Sequence, residues 1–246
     1  MINKIYIKFL LLIIGLIDND NKKKIILFFK QKLKKDFLNI LDIGAHKGET
    51  IDLFFENFNI NKILAFEANP VIYNKLKKKI KKRKYLDKIY LFNHGLGEKV
   101  ENKELSIFND SSSSTYNTVN KDTNYYKRKE KFLSFLKFNK SVLHEKLETK
   151  IYPLSAYKEM EDLKTIDILK IDTEGFELNI LKGINVDHFK KIKFIYFEHH
   201  YDLMIKKNYT YSDIKSFLNQ NNFYLSLRLK MKFRKTFEYV YENKRK

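Results

Sequence analysis

From residue 38 onward, short apolar runs alternate with amphipathic stretches, the pattern of βαβ units wound into a parallel sheet. Leu38–Ile43, bounded by Asp36 and Gly44, reads as a buried strand. Lys47–Phe58 places Ile51, Phe54, Phe55 and Phe58 at i, i+3, i+4 and i+7, one face of a helix. Lys62–Phe66 is a second strand, and Asn69-Pro70 supplies the N-cap and N1 proline of a helix running through Arg83. Lys88–Asn93, Ile166–Ile171 and Ile192–Glu198 are the third, fourth and fifth strands, and the helix after the fourth ends at Lys182-Gly183. A helix over Tyr211–Asn221, capped by Thr210 or Ser212, precedes Phe223–Leu229 and Thr236–Tyr241, which close the sheet in antiparallel fashion. Residues 120–148 read as an insertion of one or two Lys/Phe-rich helices, and Ser111–Thr115 as a solvated turn.

The most apolar run, Phe9–Ile17, is too short to cross a bilayer, which takes about 20 residues. Acidic and amide residues follow it, where a signal peptide carries small ones. It is expected to be a helix packed on the domain, with peripheral membrane contact through residues 1–24 as the alternative. The expected organisation is a helical extension over 1–36 and one α/β domain over 37–246, in the cytoplasm or at the inner membrane face. A length of 246 residues suits one such domain. The net charge of +19 invites a nucleic-acid partner, yet only five of the 49 cations are arginine, the side chain that reads phosphates and bases in bidentate fashion. The Lys/Asn/Ile bias matches AT-rich coding instead, so action on nucleic acid is kept as the alternative to a small-molecule acceptor, with a non-catalytic binding protein on the same fold as a second alternative. With no cysteine there is no disulfide framework, thiolate metal cage or Cys nucleophile, and no metal site is expected.

Chemistry concentrates where the strands end. Asp42-Ile-Gly-Ala-His-Lys-Gly-Glu-Thr50 is a strand-to-helix turn in which Gly44 and Gly48 allow close backbone approach to a ligand. The G-x-G-x-x-G fingerprint of dinucleotide sites is absent. Asp42 would repel a pyrophosphate but suits a cationic amine, and Glu67 at the end of the second strand suits ribose hydroxyls. A ribose, a cation and no phosphate describe S-adenosylmethionine. Asp172 and Glu174 end the fourth strand and Glu198-His199-His200 the fifth, so acids collect along one edge. Like charges so gathered cost stability unless something compensates them. Glu198 or His199, with Asp172 or Glu174, is expected to orient an acceptor hydroxyl and take its proton.

Asp42–Thr50, Phe66-Glu-Ala-Asn-Pro70 and Leu169-Lys-Ile-Asp-Thr-Glu-Gly-Phe-Glu177, with Leu181-Lys-Gly183, resemble the FkbM-type S-adenosylmethionine-dependent methyltransferases over about residues 38 to 200. That resemblance implies a Rossmann-like, mostly parallel seven-stranded sheet with helices on both faces. It also implies methylation of oxygen, on a hydroxyl of a saccharide, glycan or other small molecule. Carried onto this chain, Asp42, Gly44, Ala45, His46, Gly48 and Thr50 would frame the methionine part of the cofactor. Glu67, Ala68 and Asn69 would surround the ribose, Asn93-His94-Gly95-Leu96 would lie by the adenine, and Asp172 and Glu174 would line the transfer site. Ala45 and His46 occupy the middle of a loop that in the wider class carries a further glycine.

Overall fold

A computed structural model describes residues 20–34, 36–108, 114–135, 143–232 and 234–245; Phe9–Ile17 and Ser111–Ser113 lie outside the described residues. The sheet is built from β1 (Leu38–Ile43), β2 (Ile60–Phe66), β3 (Ile89–Phe92), β9 (Ile166–Ile171), β10 (Ile192–His200), β12 (Phe223–Lys230) and β13 (Thr236–Asn243). Their order is β12-β13-β10-β9-β1-β2-β3. β1 runs parallel to β2 and β9, β9 to β10 and β2 to β3. β13 is antiparallel to both β10 and β12, as the sequence predicts. β1 and β9 are buried at every position, because helices cover both faces of a parallel sheet.

One face carries a helix over residues 20–32 (α1), α2 (Glu49–Asn57) and α3 (Pro70–Ile80). Ile25, Ile26 and Phe29 of α1 share a cluster with Leu38, Ile40, Phe54 and Phe194, so the described part of the extension is built into the domain's core. The other face carries α5 (Glu177–Lys182), α6 (Val186–Lys191) and α7 (Tyr211–Gln220), packed with Ile43, Phe197, Tyr239 and Tyr241. The caps behave as the sequence indicates. Asn69 Oδ1 accepts from the Val71 and Ile72 amides, and Thr210 with Asp213 forms a capping box on α7. Among the described residues no helix is long and apolar enough to cross a membrane.

The insertion departs from expectation. α4 (Asn124–Phe135) is the helical part, but from residue 143 the chain is β8 (Leu143–Tyr152). β8 joins β4 (Gly95–Leu96), β5 (Glu101–Phe108) and β6 (Ser114–Thr115) in a second sheet of order β4-β8-β5-β6. Its Leu-His-Glu-Lys-Leu-Glu-Thr-Lys sequence is too polar to look like a strand alone. Pairing with β5 along its length makes it one, with Lys146 bound to Glu104 at 2.5 Å across the pair. A third, two-stranded pair joins β7 (Thr118–Val119) to β11 (Ile205–Lys206).

Candidate functional site

A cavity of about 290 Å3 opens at the carboxyl ends of β1, β2, β9 and β10, beside the second sheet. Its wall includes Gly44, Ala45, His46, Thr50, Glu67, Ala68, Gly95, Leu96, Asp172, Glu174 and Glu198 from the sequence-predicted set. Asp42, Gly48, Asn69 and His199 are not on the wall, and each has another task.

The turn after β1 is held by its own chain. Gly44 and Gly48 both have φ of 80°. A Cβ at Gly44 would lie 1.9 Å from the Asp172 carbonyl oxygen, and one at Gly48 would lie 2.8 Å from a Leu76 methyl. The glycines therefore let the β1 and β9 turns and α3 pack against one another, rather than opening room for a ligand. His46 is left-handed as well, at φ 48°, and its amide donates to Glu67 Oε2 at 2.9 Å. Glu67 Oε1 accepts the Asn69 amide at 2.8 Å. Burial raises the Glu67 carboxyl above its usual range despite those two donors. One acid thus ties the glycine turn to the start of α3 while facing the cavity.

Asp42 is fully buried beneath the floor, with Oδ1 3.1 Å from Lys170 Nζ, and its Oδ2 has no hydrogen-bond partner among the described residues. Lys170 also lies 3.5 Å from Asp172. Burial opposes the Lys170 charge, but Asp42 and Asp172 outweigh it and hold the ammonium protonated above its ordinary value. Burial raises Asp42 in turn, Lys170 only partly offsetting it. Asp42 therefore positions Lys170 and Asp172 from below.

β10 decides between the candidate bases. Side chains alternate along a strand, so Glu198 and His199 cannot face the same side. Tyr196 and Glu198 line the cavity, and His200 lies on their side of the strand. Its Nε2 is 3.1 Å from Glu198 and 3.2 Å from Glu174, and Nδ1 is 3.7 Å from Asp202. Burial works against a charge on His200, but Glu174, Asp202 and Glu198 raise it well above the ordinary histidine value, giving an imidazolium. Burial, with Asp172 and Glu174 nearby, lifts Glu198 to about 7 although His200 pulls it down. Glu174 is held at φ 50°, a conformation costly for a side chain with a Cβ.

His199, expected near the reaction, points to the opposite face and is 3 % exposed. It sits among Tyr201, Tyr209 and Tyr211, with Nδ1 3.8 Å from Glu177. Glu177 accepts from the Tyr209 hydroxyl at 2.5 Å and the Gly175 amide at 2.7 Å. This is a buried core environment away from the cavity, and the correction follows from strand parity.

His94, expected by the adenine, is on the wall with Gly95 and Leu96, its Nδ1 3.0 Å from the Tyr157 hydroxyl. Other wall residues escaped the sequence reading, Tyr116 beside Gly95 among them. At the other end stand Lys22 of α1, Tyr196, Met231 and Glu238 of β13. Glu198 and Glu238 are direct register partners across the β10–β13 ladder. Knowing that β13 pairs with β10 would have flagged Glu238; nothing in the sequence points to Lys22.

Residues 42–225 match the family model described as the methyltransferase FkbM domain. Methyltransferase sdnD of Sordaria araneosa is 28% identical over 166 residues, a match covering 63% of this chain and 63% of that protein. Among solved structures, methyltransferase FkbM from Methylobacillus flagellatus KT superposes with a TM-score of 0.53 at 14% identity, over 87% of this chain and 46% of its own. The METTL16 MTase domain gives 0.52 at 13% identity, over 92% and 68%. At those identities the two structures speak for the fold alone. The chain spans less than two thirds of the sdnD protein and under half of the Methylobacillus one.

Proposed function

The chain belongs to the FkbM methyltransferase family, and from that premise we propose that it methylates a hydroxyl of a saccharide or other small-molecule acceptor, with Glu198 taking the proton. The family's methyl donor is S-adenosylmethionine, and the cavity's chemistry fits it. Glu67 presents a carboxylate for the ribose hydroxyls, its two backbone donors leaving further lone pairs free. His94, Leu96 and Tyr116 offer a flat, largely apolar wall for a purine. Asp172 and Glu174 suit an ammonium, and the buried Thr173 hydroxyl, without a partner among the described residues, remains available to a ligand. When bound, this donor supplies an electrophilic methyl group.

The protein's contribution is positioning and proton management. A hydroxyl becomes a competent nucleophile only as its proton leaves. Glu198 faces the cavity, and with its carboxyl lifted to about 7 it is basic enough to accept that proton near neutral pH yet still ionised in part. His200 lies between Glu198 and Glu174 as a cation, which fixes the orientation of the Glu198 carboxylate that takes the proton. The observation that carries this reading is the Glu174–His200–Glu198 cluster at the cavity wall. The carboxylates around it would repel a polyphosphate backbone, which weighs against a nucleic-acid acceptor despite the +19 net charge.

The test is a mass-shift assay with S-adenosylmethionine and a panel of glycosides, each with its amino and O-blocked counterparts, alongside calorimetry of donor binding. Methylation of free hydroxyls, lost when they are blocked, is the expected result. Transfer confined to nitrogen would overturn the oxygen assignment, and absence of donor binding would overturn the whole reading.

A further inference from the structure

At the end of the cavity away from the glycine turn, two strands and α1 build a second recognition surface. Glu198 of β10 and Glu238 of β13 sit directly opposite one another, on the same face and both on the cavity wall. Glu238 is only 5 % exposed, and Glu198 is paired with the His200 imidazolium. Glu238 is held in place from both sides: Oε1 accepts the Tyr196 hydroxyl at 2.5 Å, and Oε2 accepts the Asn21 side-chain amide at 2.8 Å. Asn21 also donates to the Lys230 carbonyl, which fixes α1 against the end of β12. β13 is three strands from β1, so at the usual inter-strand spacing Glu238 stands roughly 14 Å from the glycine turn. It is therefore placed beyond the half of the cavity that suits the donor.

We infer that Glu238, oriented by Tyr196 and Asn21 beside Glu198, is the acceptor-binding group of this enzyme and selects an uncharged, hydroxyl-rich acceptor over an anionic one. The inference rests on the methyltransferase reading above. Adjacent carboxylates accept hydrogen bonds from a ligand's hydroxyls, and each such charge-assisted bond is stronger than a neutral one. The same pair repels a carboxylate, sulfate or phosphate on the ligand.

The experiment uses the full chain as wild type, Glu238→Gln and Asn21→Ala, each loaded with S-adenosylhomocysteine. Binding of methyl β-D-glucopyranoside and of methyl β-D-glucuronide is followed by saturation-transfer NMR titration. The wild type should bind the neutral glycoside at least about fivefold more tightly than the glucuronide, and Glu238→Gln should bring the two within about twofold. Asn21→Ala should weaken the neutral glycoside several-fold without favouring the anion. A glucuronide bound as well as the glucoside, no binding of either, or an unchanged preference in Glu238→Gln would each overturn the proposal. S-Adenosylhomocysteine affinity, read by calorimetry, should stay within about twofold throughout. Its absence in the wild type would instead count against the methyltransferase reading itself.

Discussion

The end of β10 presents two histidines to two different environments. On one face, His199 is enclosed by tyrosine rings and one carboxylate, and Glu177 in turn receives Tyr209 and Gly175. On the other, His200 meets Glu174, Glu198 and Asp202 around a cavity, beside a left-handed Glu174 and an opposed Glu198–Glu238 pair. The first face buries its polar groups away from the cavity. The second gathers charged groups and a strained backbone on the cavity wall. Two neighbouring histidines therefore differ less by type than by whether their surroundings are closed.

Four substitutions sharpen or break this contrast. The largest effect is expected for Glu198→Gln, which should lower turnover by about 10²–10³-fold while the melting temperature holds or rises. Steady-state kinetics with thermal unfolding reads both. Next, His199→Ala should cost about 2–4 kcal/mol in denaturant unfolding, because it opens a core site and strips Glu177 of its imidazole. Turnover per folded molecule should stay within about threefold, and a collapse of turnover without loss of stability would restore His199 to the reaction.

The third concerns pH. Glu198 must be ionised to accept a proton, so turnover should climb through about pH 7 and level off above it. His200→Asn removes the cation that holds Glu198 down, and the acid limb should move up by about one pH unit. The closed face responds oppositely in kind, through stability. Burial depresses His199, and although burial opposes it, the nearby His199 ring and the hydrogen bond from Tyr209 depress Glu177. The folded chain therefore refuses protons that the unfolded chain binds. Stability is full above about pH 6.5 and falls as pH drops below it, first through the histidine and then through the carboxylate. His199→Leu should flatten the histidine part of that acid slope.

The smallest effect is His46→Gly. Relief of the left-handed backbone should stabilise the protein by roughly 1 kcal/mol or less, visible as a small rise in melting temperature, with donor affinity within about threefold.

Much of this was legible in the chain. The strands that carry the site, β1, β2, β9 and β10, are apolar runs bounded by turn residues, and their acidic ends announce themselves as Asp42, Glu67, Asp172, Glu174 and Glu198. β8 was not legible, because its alternating Lys and Glu residues take strand form only through pairing with β5. His199 was misplaced by treating consecutive residues as one cluster when a strand sends them apart. The glycines of the β1 turn were recognised as necessary, but the carbonyl of Asp172 that makes Gly44 necessary comes from a strand distant in sequence. Glu238 joins the site solely through the β10–β13 register, a relation no local pattern encodes.

The segment shared with the family runs from residue 42 to 225, while Asn21, Lys22, Met231 and Glu238 fall before and after it. The hydrogen bond from Asn21 to Glu238 fastens the two outlying stretches together over the cavity. Under the acceptor-binding proposal, residues 20–32 and 231–243 act as one unit: exchanging them as a matched pair between relatives should change acceptor choice with donor binding kept, and exchanging either stretch alone should break the Asn21–Glu238 bond.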